Sequence, residues 1–192
     1  MSNDRRAARG RLKLLLIAAV AAAPVLAAYA VFHLWRPSAF TNYGQLLPPA
    51  PIADAIFRQS DGSEFRLDAL KGKWVLLMVD SGVCDAYCRR KLYQMRQVRL
   101  TQGKDMERIE RTWLIDDGTR PSNELVVEYQ GTHIIPARGN SLLSQLPAEA
   151  SVHDHIYIVD PLGNLMMRYP RDADASKIKK DVTRLLKVSG VG

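Results

Sequence analysis

From Leu14 to Trp35 the chain runs for 22 residues with no acid and no basic residue other than His33. At about 1.5 Å per residue, a helix of that length crosses a hydrocarbon core roughly 30 Å thick. Arg5, Arg6, Arg9, Arg11 and Lys13 precede the run. Basic residues are retained on the cytoplasmic side of a membrane. Residues 1–13 therefore read as a cytoplasmic tail, 14–35 as a single transmembrane anchor, and the remainder as lying outside the cytoplasm. Tyr29, Phe32 and Trp35 fall toward the outer interface, where aromatic rings are favoured. Ala28-Tyr29-Ala30 suits signal-peptide cleavage, but the apolar run is longer than a usual h-region and continues past it, which favours an uncleaved anchor. In either case the globular part is exported, into a compartment that permits disulfides.

The same segment explains much of the formal net charge of +7. Five basic residues and one acid lie ahead of residue 36, which leaves the rest nearly balanced. There, acids and bases mix, as in Lys104-Asp105-Met106-Glu107-Arg108, a pattern of solvated helix faces. Nucleic acid is not an expected partner.

Residues 36–53 contain Pro37, Pro48, Pro49 and Pro51 and read as an extended, semi-rigid spacer. Residues 54–192 form the exported domain. Ile56–Gln59 and Glu64–Leu67 flank the turn-rich Ser60-Asp61-Gly62-Ser63, which predicts a β-hairpin. Trp74–Val79 is a continuous apolar run, as expected of a strand buried on both faces. A helix follows to about Leu100, with Cys88, Leu92, Met95 and Val98 on one face. Glu110–Ile115 reads as a strand, Pro121–Tyr129 as a short helix, and 131–151 as a long loop that includes His133. His155–Val159 and Leu165–Tyr169 flank Asp160-Pro161-Leu162-Gly163-Asn164, a second hairpin. An amphipathic helix closes the chain from about Asp174 to Lys187. This order predicts an α/β domain of thioredoxin type, with its reactive loop at the C-terminal end of a central strand.

That loop holds Cys84 and Cys88, the only cysteines. At the start of a helix, unpaired N–H groups and the helix dipole favour a thiolate, which should make Cys84 acidic and reactive. Spacing of four can stack both sulfurs on one helix face, ready to close a disulfide or to hold one soft metal ion. Two thiolates leave Cu(I) undercoordinated, and an imidazole would complete the site. His33 lies in the anchor and His133 in the ambiguous loop. His153 and His155 sit just before the penultimate strand. Two residues apart on an extended chain they point to one side, so either could be the ligand. Met78, Met95, Met166 and Met167 read as core filler.

Cys84, Cys88, the anchor, and His153 or His155 ahead of Ile156-Tyr157-Ile158-Val159-Asp160-Pro161-Leu162-Gly163 together resemble the Sco/SenC copper chaperones. That family assists assembly of the dinuclear copper centre of cytochrome c oxidase. The resemblance implies a single-pass protein of the bacterial inner membrane with its domain on the periplasmic side. It also implies a copper ion bound by Cys84, Cys88 and one histidine, and cytochrome c oxidase or its assembly factors as partners. Counted back from Pro161, His153 holds the family's ligand register, while Asp154-His155 is similar to the family's local pair. Arg89 stands where the family usually has proline. Two alternatives remain: a thiol–disulfide oxidoreductase with Cys84 attacking and Cys88 resolving, or a non-catalytic assembly factor that keeps the cysteines as a staple.

Overall fold

A computed structural model describes residues 2–34, 42–52, 54–58 and 62–190. Trp35, the expected spacer over 36–41 and at residue 53, and the hairpin-turn residues Ser60 and Asp61 lie outside the described residues. The chain divides into two compact units, Met1–Thr41 and Asn42–Gly192.

The described residues of the first unit form one helix, α1 (Ser2–Leu34), with Pro24 inside it. It starts well ahead of Leu14, so the basic tail continues the apolar helix. Leu15–Phe32 has a mean hydropathy of 2.4, and the helix is long and apolar enough to cross a membrane.

The second unit is built on a six-stranded mixed sheet. Its strands are β1 (Gln45–Pro51), β4 (Trp74–Asp80), β5 (Ile109–Ile115), β6 (Thr132–Pro136), β7 (Ile156–Val159) and β8 (Asn164–Arg168), in the order β1-β8-β7-β4-β5-β6. β4, β5 and β6 are parallel, whereas β7 runs antiparallel to β4 and β8 antiparallel to β7. The hairpin of β2 (Ile56–Arg58) and β3 (Glu64–Arg66) forms its own small sheet. The helices are α2 (Ala86–Leu100), α3 (Asn123–Glu128), α4 (Leu142–Gln145) and α5 (Ala175–Val188).

Two expectations differ from this arrangement. Residues 45–51, assigned to the spacer, are the edge strand β1, paired antiparallel with β8. Proline lacks the N–H that a central strand needs but is tolerated at an edge, and the register shifts between Leu46 and Ala50, where Pro48 and Pro49 stand. The Asp181 carboxylate on α5 fastens this end by accepting from the N–H groups of Tyr43 at 2.9 Å and Gly44 at 2.8 Å. The supposed loop 131–151 contains β6 and α4. His133 lies on β6, 3.3 Å from the Glu110 carboxylate on β5 and tilted against the Phe65 ring.

Strand alternation sorts the core onto two faces. Leu76 and Met78 of β4, Trp113 of β5 and Ile156 and Ile158 of β7 pack with Cys84, Cys88, α2 and α5. Leu77, Val79, Leu114, Tyr157 and Val159 face the other way, toward Phe57, Leu67, Leu142 and Leu146. The crossover β4–α2–β5 is a parallel βαβ unit, so the turn from β4 into α2 opens at the C-terminal edge of the sheet.

Candidate functional site

Every residue of β4 is buried up to Asp80, where the strand stops. Ser81 to Cys84 form a tight turn in which the Cys84 N–H donates to Ser81 O at 3.1 Å. The loop after β5 clamps it. Asp117 Oδ1 accepts from the N–H of Gly82 at 3.3 Å and from the Thr119 hydroxyl at 2.7 Å. Hydrogen bonds from Ser81 and Thr119 hold the Asp117 carboxyl well below the usual carboxylate range.

Cys84 has φ of +52°, in the left-handed region that side chains rarely adopt. It is not helical. Asp85 caps α2, and Cys84 reaches back to form a disulfide with Cys88 across a Cα–Cα distance of 5.1 Å. Strained backbone of this kind concentrates at functional turns. The structure thus brings the two sulfurs together, but by a turn rather than by a shared helix face. The cap also changes the electrostatics expected for Cys84. Asp85 Oδ1 accepts from the N–H groups of Tyr87 and Cys88, each at 2.9 Å, so a carboxylate already occupies the donors that were expected to stabilise a thiolate. Both cysteines are buried, while Val83 beside them is exposed.

The two histidines separate. Val152–Asp154 is a turn of 3-10 helix, which breaks the extended geometry that would have aimed both rings to one side. His153 is partly exposed and stays at the cysteine edge. Its Nε2 donates to Asp116 Oδ2 at 2.7 Å, and its Nδ1 lies 3.9 Å from Asp80 Oδ1. His155 is buried. Its Nδ1 donates to Tyr169 O at 2.8 Å, and its ring meets Tyr157 edge-on, a residue of the core opposite the cysteines.

One further residue of the site was not singled out from the sequence. Lys91, grouped by sequence with Arg89 and Arg90, is buried with its Nζ 2.8 Å from Asp80 Oδ2. It also donates to the carbonyls of Val79 and His153, which joins α2, β4 and the histidine turn. Burial pushes the Lys91 ammonium below its ordinary value, against the opposing pull of Asp80. The available signal was periodicity, since Lys91 falls three residues after Cys88 and one before Leu92, on the buried face of α2. Tyr87 sits nearby. Its hydroxyl donates to Asp154 O at 3.0 Å, and its ring lies near the cationic groups of Arg90, Lys91 and Arg171.

Among the described residues, no three His, Cys, Asp or Glu side chains converge as a ready metal cage. The arrangement offers a disulfide convertible to two thiols and, at the same end of β4, an imidazole oriented by a carboxylate.

No curated protein sequence matches the chain. Solved structures with a similar fold include yeast Sco1 with copper bound, at 16% identity and a TM-score of 0.57 over 74% of this chain and 92% of that one. Arabidopsis thaliana ScoI with copper bound matches at 15% identity and a TM-score of 0.53, over 77% and 99% of the two chains. The thioredoxin domain of a thiol-disulfide oxidoreductase from Bacteroides vulgatus matches at 18% identity and 0.52, over 73% and 99%. At these identities the likeness establishes the thioredoxin-like fold. A model of a transmembrane-like N-terminal domain matches residues 4–34, over α1. A second family model spans residues 74–189, from the first residue of β4 through the end of α5, and so takes in the cysteine turn, Lys91 and both histidines. By that match the chain belongs to the family described as the transmembrane-like, thioredoxin-like C-terminal domain.

Proposed function

We propose that the protein is a membrane-anchored copper chaperone or assembly factor for cytochrome c oxidase, held by α1 in the bacterial inner membrane with its domain on the periplasmic side. Copper is its cargo. Once the disulfide is reduced, the Cys84 and Cys88 thiolates and the His153 imidazole supply a soft S₂N donor set suited to Cu(I). The observation that carries this reading is the Asp116–His153 hydrogen bond of 2.7 Å, because metal-binding imidazoles are oriented by a carboxylate on the second nitrogen. His155 is not the ligand in this reading, because its ring is buried against Tyr157 in the core opposite the cysteines. The fold shared with copper-bound Sco proteins supports the reading.

The Cys84–Cys88 disulfide favours a second reading, thiol–disulfide exchange with an exported client. Two client thiols would be oxidised to a disulfide as Cys84–Cys88 takes up two electrons and two protons.

Copper stoichiometry of the reduced full-length chain in neutral micelles tests the first reading. One Cu(I) per chain is expected, lost in Cys84→Ser and weakened in His153→Ala. A reduced wild-type chain that binds no copper overturns it and leaves exchange, which requires only the sulfurs.

A further inference from the structure

Away from the cysteine edge, a cleft of about 310 Å³ opens between the C-terminal half of α2, β5 and the turn from α3 into β6. Arg96, Arg99 and Arg111 line it, and Glu128 is the acid in its wall. Arg111 is 4% exposed, projecting from β5 on the α2 side of the sheet. Its Nη2 donates to Gln130 O at 2.7 Å, but Nε and Nη1 are buried without a partner. A buried guanidinium ordinarily has its donors paired and its charge balanced, so this one is under-compensated.

The neighbours do not supply the balance. Arg99 donates through Nε to Ile109 O at 2.8 Å, and its contact with the exposed Glu107 carboxylate is long, at 3.5 Å. Glu110, next to Arg111 in sequence, faces His133 at 3.3 Å. Burial, then the positive charges of Arg99 and Arg96, disfavour the charged form of Arg111, with only Glu110 opposing. Three cations thus converge on one cleft with a single carboxylate in its wall.

We infer that this cleft binds a phosphate-type oxyanion, held between Arg96 and Arg99 over the buried Arg111. Such an anion offers several acceptor oxygens and enough negative charge for three guanidinium groups. The cleft exceeds what a bare phosphate fills, so it accommodates a phosphate ester, either a free one or the headgroup of an anionic phospholipid. The site is independent of the cysteines and of copper.

The test is thermal unfolding of the full-length chain in neutral maltoside micelles, with inorganic phosphate titrated at constant ionic strength. A ligand that binds the folded state raises the midpoint in a saturable way. A rise that Arg111→Met abolishes supports the site and a free phosphate source. No rise with phosphate, but a rise in phosphatidylglycerol nanodiscs over phosphatidylcholine ones that Arg111→Met removes, supports the headgroup. Absence of both responses, or equal responses in the variant, overturns the proposal. If Arg111→Met does not fold, the exposed Arg96→Gln decides. A several-fold higher half-saturating concentration supports the site, and an unchanged one overturns it.

Discussion

The Nζ of Lys91 lies 2.8 Å from Oδ2 of Asp80, with both residues buried between the end of β4 and the first turns of α2. Two further carbonyls, of Val79 and His153, complete the ammonium's donor set. A buried pair adds little net stability when compared with an apolar filling, but loss of one partner strands the other charge. Lys91→Met should therefore cost about 3–5 kcal/mol, and Asp80→Asn with Lys91→Met should recover most of that loss. Denaturant unfolding of the two variants measures it. A double variant no more stable than the single one would show that the pair is not the cause.

His153 and His155 should separate in function and stability. His155→Phe keeps the ring but strands Tyr169 O, a loss of roughly 1–3 kcal/mol, with copper affinity unchanged. His153→Ala removes a partly exposed ring, so stability should change little while copper affinity falls at least tenfold. Paired unfolding and copper titrations would read both. The reverse pattern would move the ligand to His155.

Gly82 is fixed by close approach rather than by flexibility. A Cβ placed there would stand 2.5 Å from Thr119 O, a backbone atom that cannot swing aside. Gly82→Ala should push the cysteine turn off the Asp117–Thr119 clamp and destabilise the chain by about 1–3 kcal/mol. Thiol-reduction rates of the disulfide should rise with it, because the turn is freed. An alanine variant with wild-type stability and reduction rate would mean the clamp does not hold this loop.

The elements with strong periodicity were legible in the sequence: β4 as an unbroken apolar run, α2 from Cys88, Leu92, Met95 and Val98, and α5 from its apolar stripe. β1 was hidden because its prolines are compatible with a spacer and with an edge strand alike. β6 was hidden because five residues of mixed burial ending in Pro136 carry no period. At the site, the cysteine pair was plain from spacing, but the divergence of His153 and His155 depends on one 3-10 turn that the extended reading could not contain. Lys91 was not singled out because it follows Arg89 and Arg90, and only its place on the buried face of α2 sets it apart from them.

Tyr157 gives the fold an alkaline limit. Its hydroxyl donates to Pro147 O at 3.0 Å, and burial pushes its pKa up to about 12, with Asp154 adding and Arg168 opposing. Its ordinary value is 10.0. Between these values the unfolded chain releases the phenolic proton and the folded chain retains it. The contribution is therefore complete below pH 10 and is lost as pH rises toward 12. The loss across that window is on the order of 2–3 kcal/mol. Tyr157→Phe should lose about 1 kcal/mol at neutral pH from the missing hydrogen bond, yet its stability should fall less steeply through the alkaline window. Tyr169, whose hydroxyl burial also pushes upward, retains its own share in the variant. Denaturation midpoints of both proteins across that window measure the two slopes. Parallel slopes would assign the alkaline loss to other groups and leave Tyr157 a packing residue only.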